Sequence, residues 1–179
     1  MNKTRCHWYD ESNDIISKYH DEEFGILNSD DDYLFEILVL VNFQTGLSWE
    51  IMLKKREDFR LAFDGFDAGR IAGYDDEKIE ELLTNENIIR NKNKIKAIIN
   101  NAQVFIKIQE EYGSFYDYIK TFTNGEIFHE RGMTESELSR TMVKDLKKKG
   151  MKYLGPITMY SYLQTIGVIN SHEEDCFLY

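Results

Sequence analysis

Apolar positions recur along most of the chain at intervals of three and four, with little of the strict alternation that marks a half-buried strand. Tyr33, Leu34, Ile37, Leu38 and Val41 follow an acidic start, Asp30-Asp31-Asp32, that suits a helix N-terminus, and together they predict one helix. Trp49, Met52, Leu53 and Phe59, running on toward Phe63, predict a second helix, and Ile79, Leu82 and Leu83 a short third one. The clearest stripe is Ile95, Ile98, Ile99, Ala102, Phe105 and Ile106, one apolar face that must pack on a core. Just upstream, LLTNENIIRN reads as a helix end, a tight connection and a new helix start, a helix-hairpin-helix shape near residues 77–106. Thr134-Glu135-Ser136-Glu137 fits a capping box ahead of Leu138, Met142 and Leu146, and Gly150 stands where a C-cap glycine would. Pro156 can open the last helix at its first turn. The spacing therefore predicts an all-α fold, and without a repeat or a Pro/Ser-rich linker it predicts one unit over 1–179. The stretch VNFQTGLSW, residues 41–49, interrupts two helical patterns with a glycine, and that break calls for a reason.

Composition narrows the function. At 179 residues and 42% hydrophobic, the chain can bury one sizeable core. A formal net charge of −10 disfavours a partner gripped mainly by bulk electrostatics. The cations are nevertheless clustered, at Lys54-Lys55-Arg56 with Arg60, from Arg90 to Lys96, and at Lys144, Lys147-Lys148-Lys149 and Lys152, so one basic face is still possible. No apolar run approaches a membrane span, and the start, MNKTRCHWYDES, lacks a signal-peptide core, which predicts a cytosolic protein with no membrane partner. Cys6 and Cys176 should then stay reduced, and a disulfide is the weaker account of the pair.

Three groups of residues carry candidate chemistry. Cys6 and His20 near one end, with His172 and Cys176 as His-x-x-x-Cys near the other, make a complete tetrahedral zinc set. Without a Cys-x-x-Cys, spacing alone does not separate such a site from chance co-occurrence. A four-ligand site with no open position is structural. His7 and His129 have no matching partners and read as surface histidines. Trp8, Tyr19 and Trp49 could stack on a base, although each taken singly is an ordinary core aromatic. Arg90, Lys92 and Lys94 lie at a turn between helices, where backbone N–H groups and cations together could hold phosphate.

At this point the sequence resembles the DNA-3-methyladenine glycosylase I family, bacterial repair enzymes of the helix-hairpin-helix superfamily. The resemblance runs over the whole chain, through RCHW, KYHDEEFG, DDDYLFEIL, FQTGLSWEIMLKKREDFR, NIIRNKNKIKAIINNA and LKKKGMKYLGPITMYSYLQTIGVINSH. It implies a structural zinc ion on Cys6, His20, His172 and Cys176, stapling 6–20 to 172–176. It also implies damaged double-stranded DNA as partner, and a monomer that flips an alkylated adenine, 3-methyladenine, into a pocket lined by Trp8, Tyr19, Trp49 and the position of Val41. Gln44, Gly46 and Leu47 would enter the duplex and fill the gap. The implied reaction is monofunctional hydrolysis of the N-glycosidic bond, for which no general base is assigned. Four positions depart from the pattern. Val41-Asn42 replaces a Glu-Gly whose glutamate contacts the methylated base, Ile16 replaces a pocket tyrosine, and Phe24 replaces a tryptophan. Altered base selection is therefore expected, with Glu22 or Glu23 as a substitute acid. The alternatives are a homologue that binds DNA without chemistry, or one that acts on another lesion.

Overall fold

In the computed structural model, which describes residues 3–179, the chain is mostly helical. The first two residues of the 1–179 unit expected from the sequence lie outside the described residues. The helices are α1 (Asp14–Glu22), α2 (Asp31–Phe43), α3 (Trp49–Ala62), α4 (Ala68–Ala72), α5 (Asp76–Thr84), α6 (Lys92–Tyr112), α7 (Phe115–Thr123), α8 (Glu137–Lys148) and α9 (Pro156–Thr165). A 3₁₀ turn, Asp64–Phe66, joins α3 to α4. Periodicity did not reveal two short strands, β1 (Phe128–His129) and β2 (Ile169–Asn170), which pair in parallel, Phe128 with Ile169 and His129 with Asn170. A two-residue strand is too short to leave a period.

The caps explain most of the helix starts. Asp30 accepts from the backbone N–H groups of Asp32 and Tyr33, Ser48 from Ile51, Asn91 from Lys94 and Ser114 from Asp117. The capping box of α8 lies two residues beyond the expected one. Ser136 caps Ser139, whose hydroxyl accepts in return from the Ser136 N–H at 2.9 Å. A serine thus fills the return role that the sequence pattern assigned to Glu137, because both serines are buried and the short hydroxyl suffices. Pro156 does open α9, whose N-cap, Gly155, makes no side-chain cap.

Helix α2 is the axis of the core. Its residues from Leu34 to Phe43 are all buried, because α3, α6, α7 and α9 surround it. The one carboxylate in that stretch, Glu36, is held by Arg56 and by Arg60 at 2.7 Å from α3. Burying a charge is tolerable only with such partners. The end of α9 closes against the segment after α1, where the Gly25 N–H donates to the Gln164 carbonyl at 2.9 Å and that of Asn28 to Ile166 at 3.0 Å. Gly167 makes this approach possible: its φ is +79°, and a Cβ there would lie 2.1 Å from the backbone carbon of Ile26. No helix among the described residues is long and apolar enough to cross a membrane.

Candidate functional site

Four helices and two loop segments meet around a pocket of ≈ 350 Å³. The N-terminal loop supplies Trp8, α1 supplies Ile16 and Tyr19, and the turn after α1 supplies Phe24. Val41 and Gln44 come from the end of α2, Trp49 from the first turn of α3, and Ser161, Gln164 and Thr165 from α9. The four residues read from the sequence as a base pocket, Trp8, Tyr19, Val41 and Trp49, are thus brought together. The rings of Trp8, Tyr19, Phe24 and Trp49 form an aromatic wall, with centroids 6.5 Å apart for Trp8–Tyr19, 5.1 Å for Trp8–Phe24 and 5.9 Å for Tyr19–Trp49. Val41 is only 1% exposed, yet it forms pocket wall as well as core.

The α9 residues were missed, although a signal was present. Positions 161, 164 and 165 fall at i, i+3 and i+4, a polar stripe on an otherwise buried helix. They also orient the tyrosine. Thr165 donates its hydroxyl proton to the Ser161 carbonyl at 3.0 Å, so the 2.9 Å contact between Tyr19 and Thr165 has the tyrosine as donor. Burial pushes the Tyr19 phenol well above its ordinary pKa, keeping it neutral. Among the described residues the buried Trp49 indole nitrogen makes no well-formed hydrogen bond, and the acceptor beside it is the Tyr19 phenol oxygen.

No carboxylate lines this pocket. Glu23, one of the two substitute acids, is occupied elsewhere: it accepts two bonds from Arg56, at 2.8 and 2.9 Å, and one from the Tyr33 hydroxyl at 2.9 Å. The other, Glu22, is exposed and lies 3.9 Å from Lys18 one turn back.

The break in VNFQTGLSW is a tight turn at the mouth of the pocket. The Leu47 N–H donates to the Gln44 carbonyl at 2.7 Å, with Gly46 at φ +82° in the third position, the backbone of a type II turn. Leu47 is left 36% exposed at its end. A second depression shares Val41, Gln44 and Ser161 with the first and adds Thr45, Gly46, Leu47, Ile157 and Thr158, so turn and pocket form one continuous groove.

The opposite bank of that groove is the start of α9. Helices α8 and α9 pack together, and their connection, residues 149–155, carries Lys149 and Lys152 beside Lys147 and Lys148. It is pinned from behind by α6. The fully buried Asn101 donates to the Lys152 carbonyl at 2.9 Å and accepts from its N–H at 2.8 Å, while Asn100 donates to the Gly150 carbonyl at 2.8 Å. The connection between α5 and α6, residues 85–91, lines neither depression. Of the cations placed there, Arg90 is exposed, Lys92 pairs with Glu80 at 2.6 Å, and Lys94 is buried with its ammonium on the Phe43 carbonyl at 3.2 Å. Lys94 therefore caps the C-terminal end of α2, where a cation meets the helix dipole, and it does not reach outward.

The second cluster lies behind Trp8. Cys6, His20, His172 and Cys176 are all buried, with their ligand atoms within 4.8 Å of one another, and could hold a metal ion. Cys6 Sγ lies 3.3 Å and Cys176 Sγ 3.5 Å from His172 Nδ1, and Cys176 Sγ lies 3.7 Å from His20 Nε2. Each ring's other nitrogen is engaged, His20 Nδ1 by Asp21 at 2.8 Å and His172 Nε2 by the Phe24 carbonyl at 2.7 Å. Both partners accept, so both rings turn a lone pair toward the sulfurs. Burial raises the Cys6 thiol to about 11, so the thiolate needs a cation beside it. His7 is at the surface, paired with Glu173, and His129 is exposed.

The sequence profile of the methyladenine glycosylase family matches residues 8–179. DNA-3-methyladenine glycosylase 1 of Escherichia coli (strain K12) is 36% identical over 181 aligned positions, covering 98% of this chain and 96% of the relative. DNA-3-methyladenine glycosylase of Haemophilus influenzae is 36% identical over 179 positions, covering 97% and 96%. Among solved structures, a tyrosine-to-phenylalanine variant of 3-methyladenine DNA glycosylase I in complex with 3-methyladenine superposes with a TM-score of 0.92 at 32% identity, over 97% of this chain and 96% of that one. With a sequence and a helical architecture that match these relatives over nearly the whole chain, this chain belongs to the methyladenine glycosylase family.

Proposed function

We propose that the protein is a DNA N-glycosylase that everts an alkylated purine from duplex DNA and hydrolyses its N-glycosidic bond. The observation that carries this is the continuity between the aromatic pocket and the turn that displays Leu47. A flipped base needs a desolvated slot with flat walls, and the duplex left behind needs an apolar side chain in the gap. Here the two are adjacent. The glycine at 46 gives the turn its left-handed residue and lets the backbone come close to DNA.

Phosphate on one side of the groove would meet the α8–α9 connection and the uncapped first turn of α9, with Lys152 alongside, whereas Lys149 is paired with Glu111 at 3.0 Å. Arg90, at the α5–α6 connection, is an outer contact in this reading. Water is the nucleophile. No lysine lines the pocket to form a Schiff base, so the reaction stops at the abasic site.

The Cys/His cluster holds a structural zinc ion. Tetrahedral zinc at about 2.0–2.3 Å from nitrogen and sulfur sets its ligands roughly 3.3–3.8 Å apart, and the three sulfur–nitrogen separations, 3.3, 3.5 and 3.7 Å, fall in that range. All four positions are protein ligands, so the ion supplies folding energy and takes no part in hydrolysis.

The relatives' names specify 3-methyladenine, whose nucleotide is cationic. A pocket with Val41 in place of a hydrogen-bonding carboxylate gives up about 1.5–3 kcal/mol of base contact, a factor of about ten to a hundred. The glycosidic bond of that cation is labile, so release is expected at a reduced rate. The test is release of 3-methyladenine from methylated duplex DNA by the natural protein and by Val41→Glu, both verified as folded. Release by both, faster with glutamate, supports the proposal. Release by neither, while DNA is still bound, would overturn excision of 3-methyladenine and leave action on another lesion or DNA binding without chemistry.

A further inference from the structure

The class of base can be narrowed further, given the reading of the aromatic pocket as a base receptor. None of the residues lining it carries a carboxylate or an ammonium. The charges that act on Tyr19, Glu23 and Arg56, are joined to each other by two hydrogen bonds and so largely cancel at the pocket. A cationic base entering this slot would leave its hydration shell and find no counter-charge. A neutral base of the same outline gives up far less.

The polar atoms that remain select by hydrogen bonding. The Trp49 indole nitrogen can only donate; among the described residues it is buried without a well-formed hydrogen bond, and the acceptor beside it is the Tyr19 phenol oxygen, which a ligand acceptor would displace. A buried, poorly paired donor is costly until something accepts well from it. The Tyr19 proton is committed to Thr165, which leaves the phenol oxygen as an acceptor, with the Trp49 N–H as its neighbouring donor. One donor and one acceptor thus stand at one end of an aromatic slot, with ring centroids 5.9 Å apart. We propose that this pocket selects an uncharged modified purine, oriented by a ring-nitrogen or carbonyl acceptor on the Trp49 N–H, over a cationic base of the same shape. Ring faces attract cations, but less strongly than a carboxylate does, so the aromatic wall does not reverse the preference.

Two ligands of one outline separate the possibilities: 3,9-dimethyladeninium, which is permanently cationic, and 3-deaza-3,9-dimethyladenine, which is neutral. Each carries a methyl group where the sugar would be attached. Titrated into the full-length protein by calorimetry, the neutral ligand should bind about tenfold or more tightly than the cation. Trp49→Phe, which keeps a ring and removes the donor, should weaken the neutral ligand at least severalfold. Val41→Glu should shift the preference toward the cation, while Val41→Gln, of similar size and uncharged, should not.

The comparison on the natural sequence decides even if a variant fails to fold. Binding of the cation as tightly as the neutral ligand would overturn the proposal and leave the base-receptor reading standing. Binding of neither ligand would overturn both. An unchanged neutral affinity in a folded Trp49→Phe would remove the orienting role given to the indole.

Discussion

Leu47 and Val41 sit only a few residues apart, but they answer to different constraints. Leu47 is 36% exposed on a turn, so folding makes little use of its side chain. Leu47→Ala should therefore change stability by no more than about 0.5 kcal/mol, while weakening binding to duplexes with an abasic or flipped site relative to intact duplex. Fluorescence anisotropy on the two duplexes, with a thermal melt of the free protein, checks both halves. Val41 by contrast is core and pocket wall together, at 1% exposure. The helical period reports that such a residue is buried and leaves open what it is buried against. Trp8, Tyr19 and Trp49 were named as candidates because large flat rings can stack on a base, but each alone reads as core, and it was the family resemblance that joined them in one pocket. Ser161, Gln164 and Thr165 were not named: a polar stripe on a helix ordinarily faces water.

Among the elements, the connection between α8 and α9 depends on a helix remote from it in sequence. Asn101 holds Lys152 by its backbone N–H and carbonyl, and is itself fully buried. Asn101→Ala leaves those groups short of partners, which costs about 1–3 kcal/mol for each one left unsatisfied. We expect a lower denaturant midpoint and a weaker, less salt-dependent affinity for DNA; unchanged DNA affinity would show that the connection is not a phosphate contact. Gly167 is under harder constraint. Gly167→Ala would place a Cβ 2.1 Å from backbone at φ +79°, and the soluble yield should fall sharply. The helix-hairpin-helix shape placed at 77–106 has its helices where the spacing put them, α5 and α6. What the stripe from Ile95 to Ile106 does not say is which connection faces the groove. In the fold, α6 buttresses the α8–α9 connection, and its own Lys94 turns inward to α2.

For the molecule as a whole, the Cys/His cluster ties the two ends of the chain together. The Phe177 N–H donates to the Thr4 carbonyl at 2.9 Å and the His7 N–H to Glu173 at 2.8 Å, contacts that hold only while both termini stay in place. Elemental analysis of chelator-free protein should find one zinc per chain, and Cys176→Ser or a strong chelator should lower the melting temperature. Well under one metal per chain in fully folded protein would count against the zinc assignment. Net charge also acts at this scale. At −10 overall, the protein's affinity for undamaged duplex should be weak at physiological salt. Recognition then depends on the groove, where a few cations stand near the first turn of α9.

The sequence by itself determined what depends on near neighbours along the chain. Three- and four-residue periodicity marks helices because it is the repeat of one covered face. Asp, Asn and Ser at the helix starts satisfy free N–H groups locally, and Gly46 breaks a helix because its backbone turns left-handed there. The two cysteines and two histidines could be named as a candidate set, but their spacing alone did not separate a metal site from chance, and it is the fold that brings the four together. Only the tertiary structure decided which faces meet. Three polar side chains of α9 close a pocket opened by α1, α2 and α3, Lys94 finds a carbonyl instead of solvent, and Glu23 is held by Arg56 away from the base site. Those outcomes depend on contacts between residues far apart in the chain, and a local pattern records that a surface is covered without recording what covers it.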